Sequence, residues 1–284
     1  MTSPIEITRF EGLKSGPALL VFGAIHGQEI CGSKAIHRAM QAIRDGQLGL
    51  ARGSVTFVPV ANPRAYQKRV RYTDENLNRV FQLTRRPNSY EAHLANILCP
   101  LVEACDVLLD LHSTTADGQP FIYLDYDTKA NGALAAVLGP KVAIVGWPAL
   151  YKKLGLADDA VCTTDYAARF GKDAVVVECG QHQSPHAEDV AYHALLNTMR
   201  HYGLITGRTT LQRIKMVRMT HGYFREHAKD RLAKTWKHLD PIKKGAPLIH
   251  HVDGRVTKAP RDAVIIMPKA NAAVGDDWLY LGSV

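Results

Sequence analysis

Hydrophobic and polar positions along the first two hundred residues alternate between two periods. Short apolar runs rich in Val and Leu, "PALLVFGAI", "GSVTFVPVAN", "CDVLLDLHS", "KVAIVGW" and "DAVVVECG", predict strands buried on both faces. Between them, "EICGSKAIHRAMQAIRDG", "SYEAHLANILCPLVEAC", "NGALAAVLG" and "DVAYHALLNTMRHYG" space their apolar residues as helices do. Gly46 and Gly203 stand where the first and last of these helices should end. Asn62-Pro63 reads as a turn after the second strand. Alternating strands and helices predict an α/β domain over residues 1–205, with a largely parallel sheet flanked by helices. After residue 205 the pattern changes to short strands punctuated by Gly, Pro and Asp-Gly, which predicts a small β-rich C-terminal domain over 206–284. Asp253-Gly254 marks a hairpin within it.

In open α/β sheets, ligands bind outside the carboxyl ends of the strands. Three polar groups fall at such ends: His26 and Glu29 after "LLVFGAI", His112 after "VLLDL", and Glu178 after "AVVV". Two imidazoles and a carboxylate suit Zn²⁺, and a catalytic zinc takes three protein ligands with one position left for water. His26 and Glu29, three residues apart, can face the same way at a helix start, and His112 completes a His₂Glu set from another strand. Glu178 is then the residue type and location for a general base. Asp110 lies two residues before His112 on the same side of its strand, so it either orients that imidazole or pairs elsewhere as a buried acid. Cys179 reads as a small buried thiol rather than a ligand or nucleophile.

Composition narrows the class. The chain has 284 residues, 46% hydrophobic and 22% charged, which supports a substantial core and excludes global disorder. The formal charge is +8, but the basic residues are spread out, without an aromatic RNA-binding motif or zinc-finger spacing. A nucleic-acid partner is therefore not expected, and part of the excess can serve small carboxylate ligands. Arg64, Lys68 and Arg69 read as a solvated basic loop. Five cysteines without a CxxC pair suggest reduced thiols. No leader pattern opens "MTSPIEITRFEG", and no apolar run nears the ~20 residues that span a bilayer, so a cytoplasmic protein without membrane contact is expected.

The blocks "GAIHGQE", "VANPRAYQKRVRYTDENLNRVF", "LLDLHSTTADG" and "VVVECG" resemble, in order, the signature blocks of the succinylglutamate desuccinylase/aspartoacylase family, a branch of the zinc carboxypeptidase-like superfamily. The resemblance runs from about residue 16 to 183. It implies a zinc-carboxypeptidase-like fold, and one zinc ion per chain held by His26, Glu29 and His112. Glu178 is then the general base and afterwards the proton donor to the leaving amine. Arg71 falls on the arginine that polarises the scissile carbonyl, and Asn78 and Arg79 on the pair that holds the substrate carboxylate. The implied activity is removal of an acyl group from a small N-acyl amino acid. Enzymes of this type often pair as homodimers.

The chain departs from the family pattern at Asn76, where many members carry an acid, and at His182 and His186, which read as surface histidines with substrate contact as the alternative. No counterpart of the family's substrate-gating tyrosine is visible in "PKANAAVGDDWLYLG". Asp165 and Arg169 could line the entrance and take a substrate ammonium and a second carboxylate; otherwise they are a helix cap and a surface cation. Two other activities compete: a zinc carboxypeptidase acting on peptides or peptidoglycan fragments, and a non-catalytic carboxylate-binding protein.

Overall fold

A computed structural model describes residues 5–156 and 161–284; the first four residues of the stretch read above for a leader lie outside it. In chain order the elements are β1 (Thr8–Glu11), β2 (Ala18–Gly23), α1 (Cys31–Arg44), β3 (Ser54–Val58), α2 (Pro63–Lys68), α3 (Tyr90–Ala104) and β4 (Val107–Thr114). There follow β5 (Phe121–Tyr123), α4 (Lys129–Ala135), β6 (Val142–Val145), α5 (Trp147–Lys153), α6 (Thr163–Arg169), β7 (Asp173–Gln181) and α7 (Ala187–His201). The C-terminal strands are β8 (Lys215–Phe224), β9 (Arg231–Leu232), β10 (Pro241–Ile242), β11 (Pro247–His250), β12 (Val256–Lys258), β13 (Ala263–Ile266) and β14 (Asp277–Ser283). Among the described residues no helix is long and apolar enough to cross a membrane.

One large sheet runs β1-β3-β2-β4-β7-β5-β6-β8-β14-β13-β10. Its centre, β3-β2-β4-β7, is parallel. Alternation along these strands decides which helices each face meets. Leu19 and Val21 of β2, Leu109 and Leu111 of β4, and Val175 and Val177 of β7 pack with α1 and α7. Leu20, Phe22, Leu108 and Ala174, on the opposite face, pack with α3 and α6. Asp110, His112 and Glu178 share the parity of that second face, and the register sets His112 directly beside Glu178. Two residues 66 positions apart in sequence thus reach one mouth of the sheet through strand pairing alone.

The expected strands and helices are present, with three local differences. Asn62-Pro63 opens α2 instead of a simple turn: Asn62 Oδ1 accepts from Ala65 N at 3.2 Å, and proline occupies the first turn. The same two residues signal either outcome, because proline lacks only a donor that a helix start leaves unused. The run "KVAIVGW" stops as a strand at Val145, since Gly146 turns left-handed (φ 89°) and Trp147 begins α5. Beyond residue 205, β8 pairs parallel with β6, and β14, β13 and β10 continue the same sheet; β9, β11 and β12 form a separate three-stranded sheet. The Asp253-Gly254 hairpin joins β11 to β12, with Gly254 at φ 87°.

Residues 69–89 contain no helix, yet they are anchored from below. The wholly buried Glu91, in the first turn of α3, accepts from Asn62 Nδ2 (3.1 Å), Thr73 N (2.8 Å), Thr73 Oγ1 (2.9 Å), Asp74 N (3.1 Å) and Glu75 N (3.1 Å). Burial alone would raise its pKa, but the backbone donors of Thr73 and Glu75 outweigh it and hold the carboxyl below its usual range. A Glu91→Leu chain leaves these donors unmet and is expected to lose about 3 kcal/mol of stability in denaturant unfolding. Because the folded-state pKa is depressed, this contribution is present above the ordinary glutamate pKa and disappears as pH falls through the folded value. An unchanged unfolding midpoint at pH 7 would rule out the anchor.

Candidate metal centre and its pocket

Beyond the end of β2 the chain makes a tight turn, with Glu29 N donating to His26 O at 3.0 Å. Gly27 is required there: a Cβ would lie 2.0 Å from the backbone carbon of Ala65 in α2. This close approach also lets Gly27 N donate to Arg71 O at 3.2 Å, which ties the turn to the loop below it. His26, Glu29 and His112 converge from the turn and from β4, and all three are buried. One ligand atom of each lies within 4.8 Å of the others.

The imidazoles are oriented from behind. His26 Nε2 donates to Asn76 Oδ1 at 3.1 Å, which leaves Nδ1 as the unprotonated nitrogen, 2.9 Å from Glu29 Oε1. That Nδ1 is buried and has no aligned hydrogen-bond partner among the described residues. His112 turns Nδ1 to Glu29 Oε2 at 2.8 Å and Nε2 to Asp110 Oδ1 at 3.0 Å, the latter close but poorly aligned. Asp110 is itself fixed by Thr163 Oγ1, which donates to its second oxygen at 2.6 Å. Both readings of Asp110 have a counterpart here: one oxygen lies beside His112 and the other is paired with Thr163. Asn76 keeps an acceptor behind His26 while lacking the charge of an acid.

Burial, and then the Arg71 cation, push His26 down to about 4, so this ring is neutral near pH 7. Burial would also lower His112, but Asp110 and Glu29 outweigh it and raise the ring well above its ordinary value. Glu29 stays ionised, because the two imidazoles overcome the burial that would raise it. Two imidazole nitrogens flanking one buried carboxylate, with one nitrogen lacking an aligned partner, fit a divalent cation that takes nitrogen and oxygen ligands.

Glu178 stands beside this cluster, and its Oε2 is buried without a hydrogen-bond partner among the described residues. Burial, reinforced by the charge of Glu29, raises its pKa to about 8. A carboxyl poised near neutral pH can both take and return a proton. Arg71 reaches Glu29 Oε1 at 3.2 Å from the anchored loop. These groups line one cavity of about 220 Å³, together with Arg79, Trp147 and Tyr151.

Arg79 is reached from the same loop, and its guanidinium donates to Asn78 O (2.7 Å) and Tyr151 Oη (3.2 Å). Asn78 Oδ1 is engaged with Thr163 N at 3.0 Å, so its side chain braces α6. Asp165 lies apart from the cavity lined by His26 and Glu29: its oxygens accept from Tyr126 Oη (2.9 Å) and Cys162 N (3.0 Å), as the cap of α6, and it lines a neighbouring cavity. Arg169 is exposed and donates to Gln82. Lys68 and Arg69 face solvent, and Cys179 is buried on the α1/α7 side of the sheet.

His186 is exposed, but His182 is half-buried and lines the cavity beside His26 and Glu29, with Nδ1 2.9 Å from Ser113 Oγ and Nε2 3.3 Å from Gln28 Nε2. Its partners come from two distant segments, the turn before α1 and the end of β4, so no local pattern marks it. Glu91, Trp147 and Tyr151 were not singled out in the sequence either.

The succinylglutamate desuccinylase/aspartoacylase catalytic domain matches residues 15–202. A probable aspartoacylase of Prochlorococcus marinus (strain MIT 9515) is 31% identical over 140 residues, 46% of this chain and 45% of the relative. An N-acyl-aromatic-L-amino acid amidohydrolase (carboxylate-forming) of Rattus norvegicus is 37% identical over 110 residues, 34% of this chain and 33% of the relative. The matches thus span less than half the length of these relatives. The structure of a succinylglutamate desuccinylase/aspartoacylase from Rhodobacter sphaeroides superposes with a TM-score of 0.76 at 20% identity, over 98% of this chain and 89% of that one, a likeness of fold.

Proposed function

Because the chain belongs to the succinylglutamate desuccinylase/aspartoacylase family, we propose that it is a zinc-dependent amide hydrolase that removes the acyl group from an N-acyl amino acid. The observation that carries this reading is the convergence of His26, Glu29 and His112, with His112 paired in register with Glu178 and His26, Glu29 and Glu178 opening on a cavity that also holds two arginines. Zinc held by His26, Glu29 and His112 supplies a Lewis acid for the amide carbonyl and lowers the pKa of water.

The remaining chemistry belongs to side chains. Glu178 takes the proton of the attacking water and returns it to the amine nitrogen as the C–N bond breaks. Arg71 donates to the carbonyl oxygen as negative charge develops on it. Arg79 holds the substrate carboxylate, since among the described residues its donors otherwise meet only neutral oxygens. Asn78 keeps Arg79 in place through its bond to α6. A zinc-loaded preparation is expected to release free amine from N-acetyl or N-succinyl amino acids. A fully loaded, folded sample inert toward the whole panel would refute the reading.

Asp110 acts on zinc through His112. Asp110→Asn keeps the shape but weakens the acceptor behind the ring, and zinc affinity is expected to fall about 10–100-fold in chelator competition. Unaltered affinity would deny Asp110 this orienting role.

A further inference from the structure

The family's relatives named above differ in the amino acid their names specify, so kinship leaves the side chain of this substrate open. The charges in the cavity restrict it. Its acids are Glu29, Glu178, Asp276 and Asp277; its arginines and lysine are Arg71, Arg79 and Lys269. Arg71 pairs with Glu29 (3.2 Å) and in the proposed reaction turns its remaining donors to the carbonyl oxygen, and Lys269 pairs with Asp277 (2.6 Å). Arg79 has no carboxylate within ion-pair reach among the described residues; its partners are a backbone carbonyl and a tyrosine hydroxyl. One uncommitted cation accommodates one carboxylate. A second would be desolvated without a partner, at a large cost.

The surroundings of Arg79 say what lies next to that carboxylate. Trp147 and Tyr151 stack on each other at 4.6 Å, and their rings lie 5.9 and 5.4 Å from the guanidinium carbon. Both rings and Arg79 also line the adjoining cavity, of about 490 Å³. A group attached one carbon from the carboxylate therefore meets aromatic faces and has room beyond them. Asp165 in that cavity already uses both oxygens on Tyr126 and Cys162. Lys152 and Arg169 sit at its exposed edge, where water screens them.

We propose that the amino-acid half of the substrate carries a single carboxylate, bound by Arg79, and a bulky uncharged side chain seated against Trp147 and Tyr151. This rests on the deacylase reading, and the two can fail separately. The zinc-loaded enzyme is assayed with N-acetyl and N-succinyl derivatives of L-phenylalanine, L-leucine, L-alanine, L-aspartate and L-lysine. The phenylalanine and leucine derivatives are expected to exceed those of alanine, aspartate and lysine by about tenfold or more in kcat/KM. Trp147→Ala, or Trp147→Leu if the alanine variant does not fold, is expected to erase most of the phenylalanine-over-alanine ratio. Calorimetry on zinc-loaded Glu178→Gln protein gives a readout without turnover: N-acetyl-L-phenylalanine is expected to bind about tenfold or more tighter than N-acetyl-L-aspartate. A preference for the aspartate or lysine derivative, or a ratio indifferent to Trp147, overturns the proposal while leaving the deacylase reading standing. No hydrolysis of any derivative removes both.

Discussion

Glu178→Gln is expected to lower kcat by about a thousandfold while zinc content stays at the wild-type level. The substitution preserves volume and can still accept a hydrogen bond, so the cavity keeps its shape. It removes the one property the reaction needs, a carboxylate that can accept a proton and give it back. Without a cation at Glu29, burial and then the charge of Glu29 raise the pKa of Glu178 to about 8; a divalent ion beside it favours the ionised form that accepts the proton. None of its atoms belongs to the His26, Glu29 and His112 set, which is why metal binding and turnover should separate in this variant. A zinc-replete Glu178→Gln enzyme with near-normal kcat would end the proposed proton route.

The second large effect is expected at the ligands, and there metal and activity should fall together. His112→Ala or His26→Ala removes one of three donors, and zinc affinity is expected to drop by more than the roughly hundredfold upper range of a supporting residue such as Asp110. Glu29→Gln is the subtler test. The amide retains the shape between the two imidazoles but loses the charge that both rings and Arg71 address. Metal analysis after dialysis, set beside kcat/KM across a zinc titration, distinguishes the classes. Ligand variants should regain activity only as zinc is raised, and Glu178→Gln at no zinc concentration. A ligand variant that holds zinc as tightly as the wild type would remove its residue from the centre.

What could be read from the sequence depended on whether the signal was local. His112 and Glu178 were legible because a run of apolar residues ending in a single polar one marks the mouth of a buried strand, and parallel pairing brings such mouths together. Asp110 followed from the two-residue period of the same strand. The hairpin at Asp253-Gly254 was legible in the same way. Trp147 and Tyr151 were hidden because Gly146 turns a continuous apolar run from strand to helix, and one run has no periodicity of its own. His182 read as a surface residue because its partners, Ser113 and Gln28, lie on distant segments. Glu91 looks like any acid at a helix start until its five donors, four from the loop it anchors and one from Asn62, are in view. The continuation of the sheet from β6 into β8 rests on pairing between residues about 73 apart, such as Val142 with Lys215, and no local pattern encodes it.

The most direct measurement is anomalous diffraction at the zinc edge from crystals of the zinc-loaded protein. The expected result is one strong peak per chain within bonding distance of His26 Nδ1, His112 Nδ1 and a Glu29 oxygen, absent when His112 is replaced by alanine. Full zinc loading with the peak elsewhere, or with His112 not among its ligands, would contradict the proposed centre and the chemistry built on it.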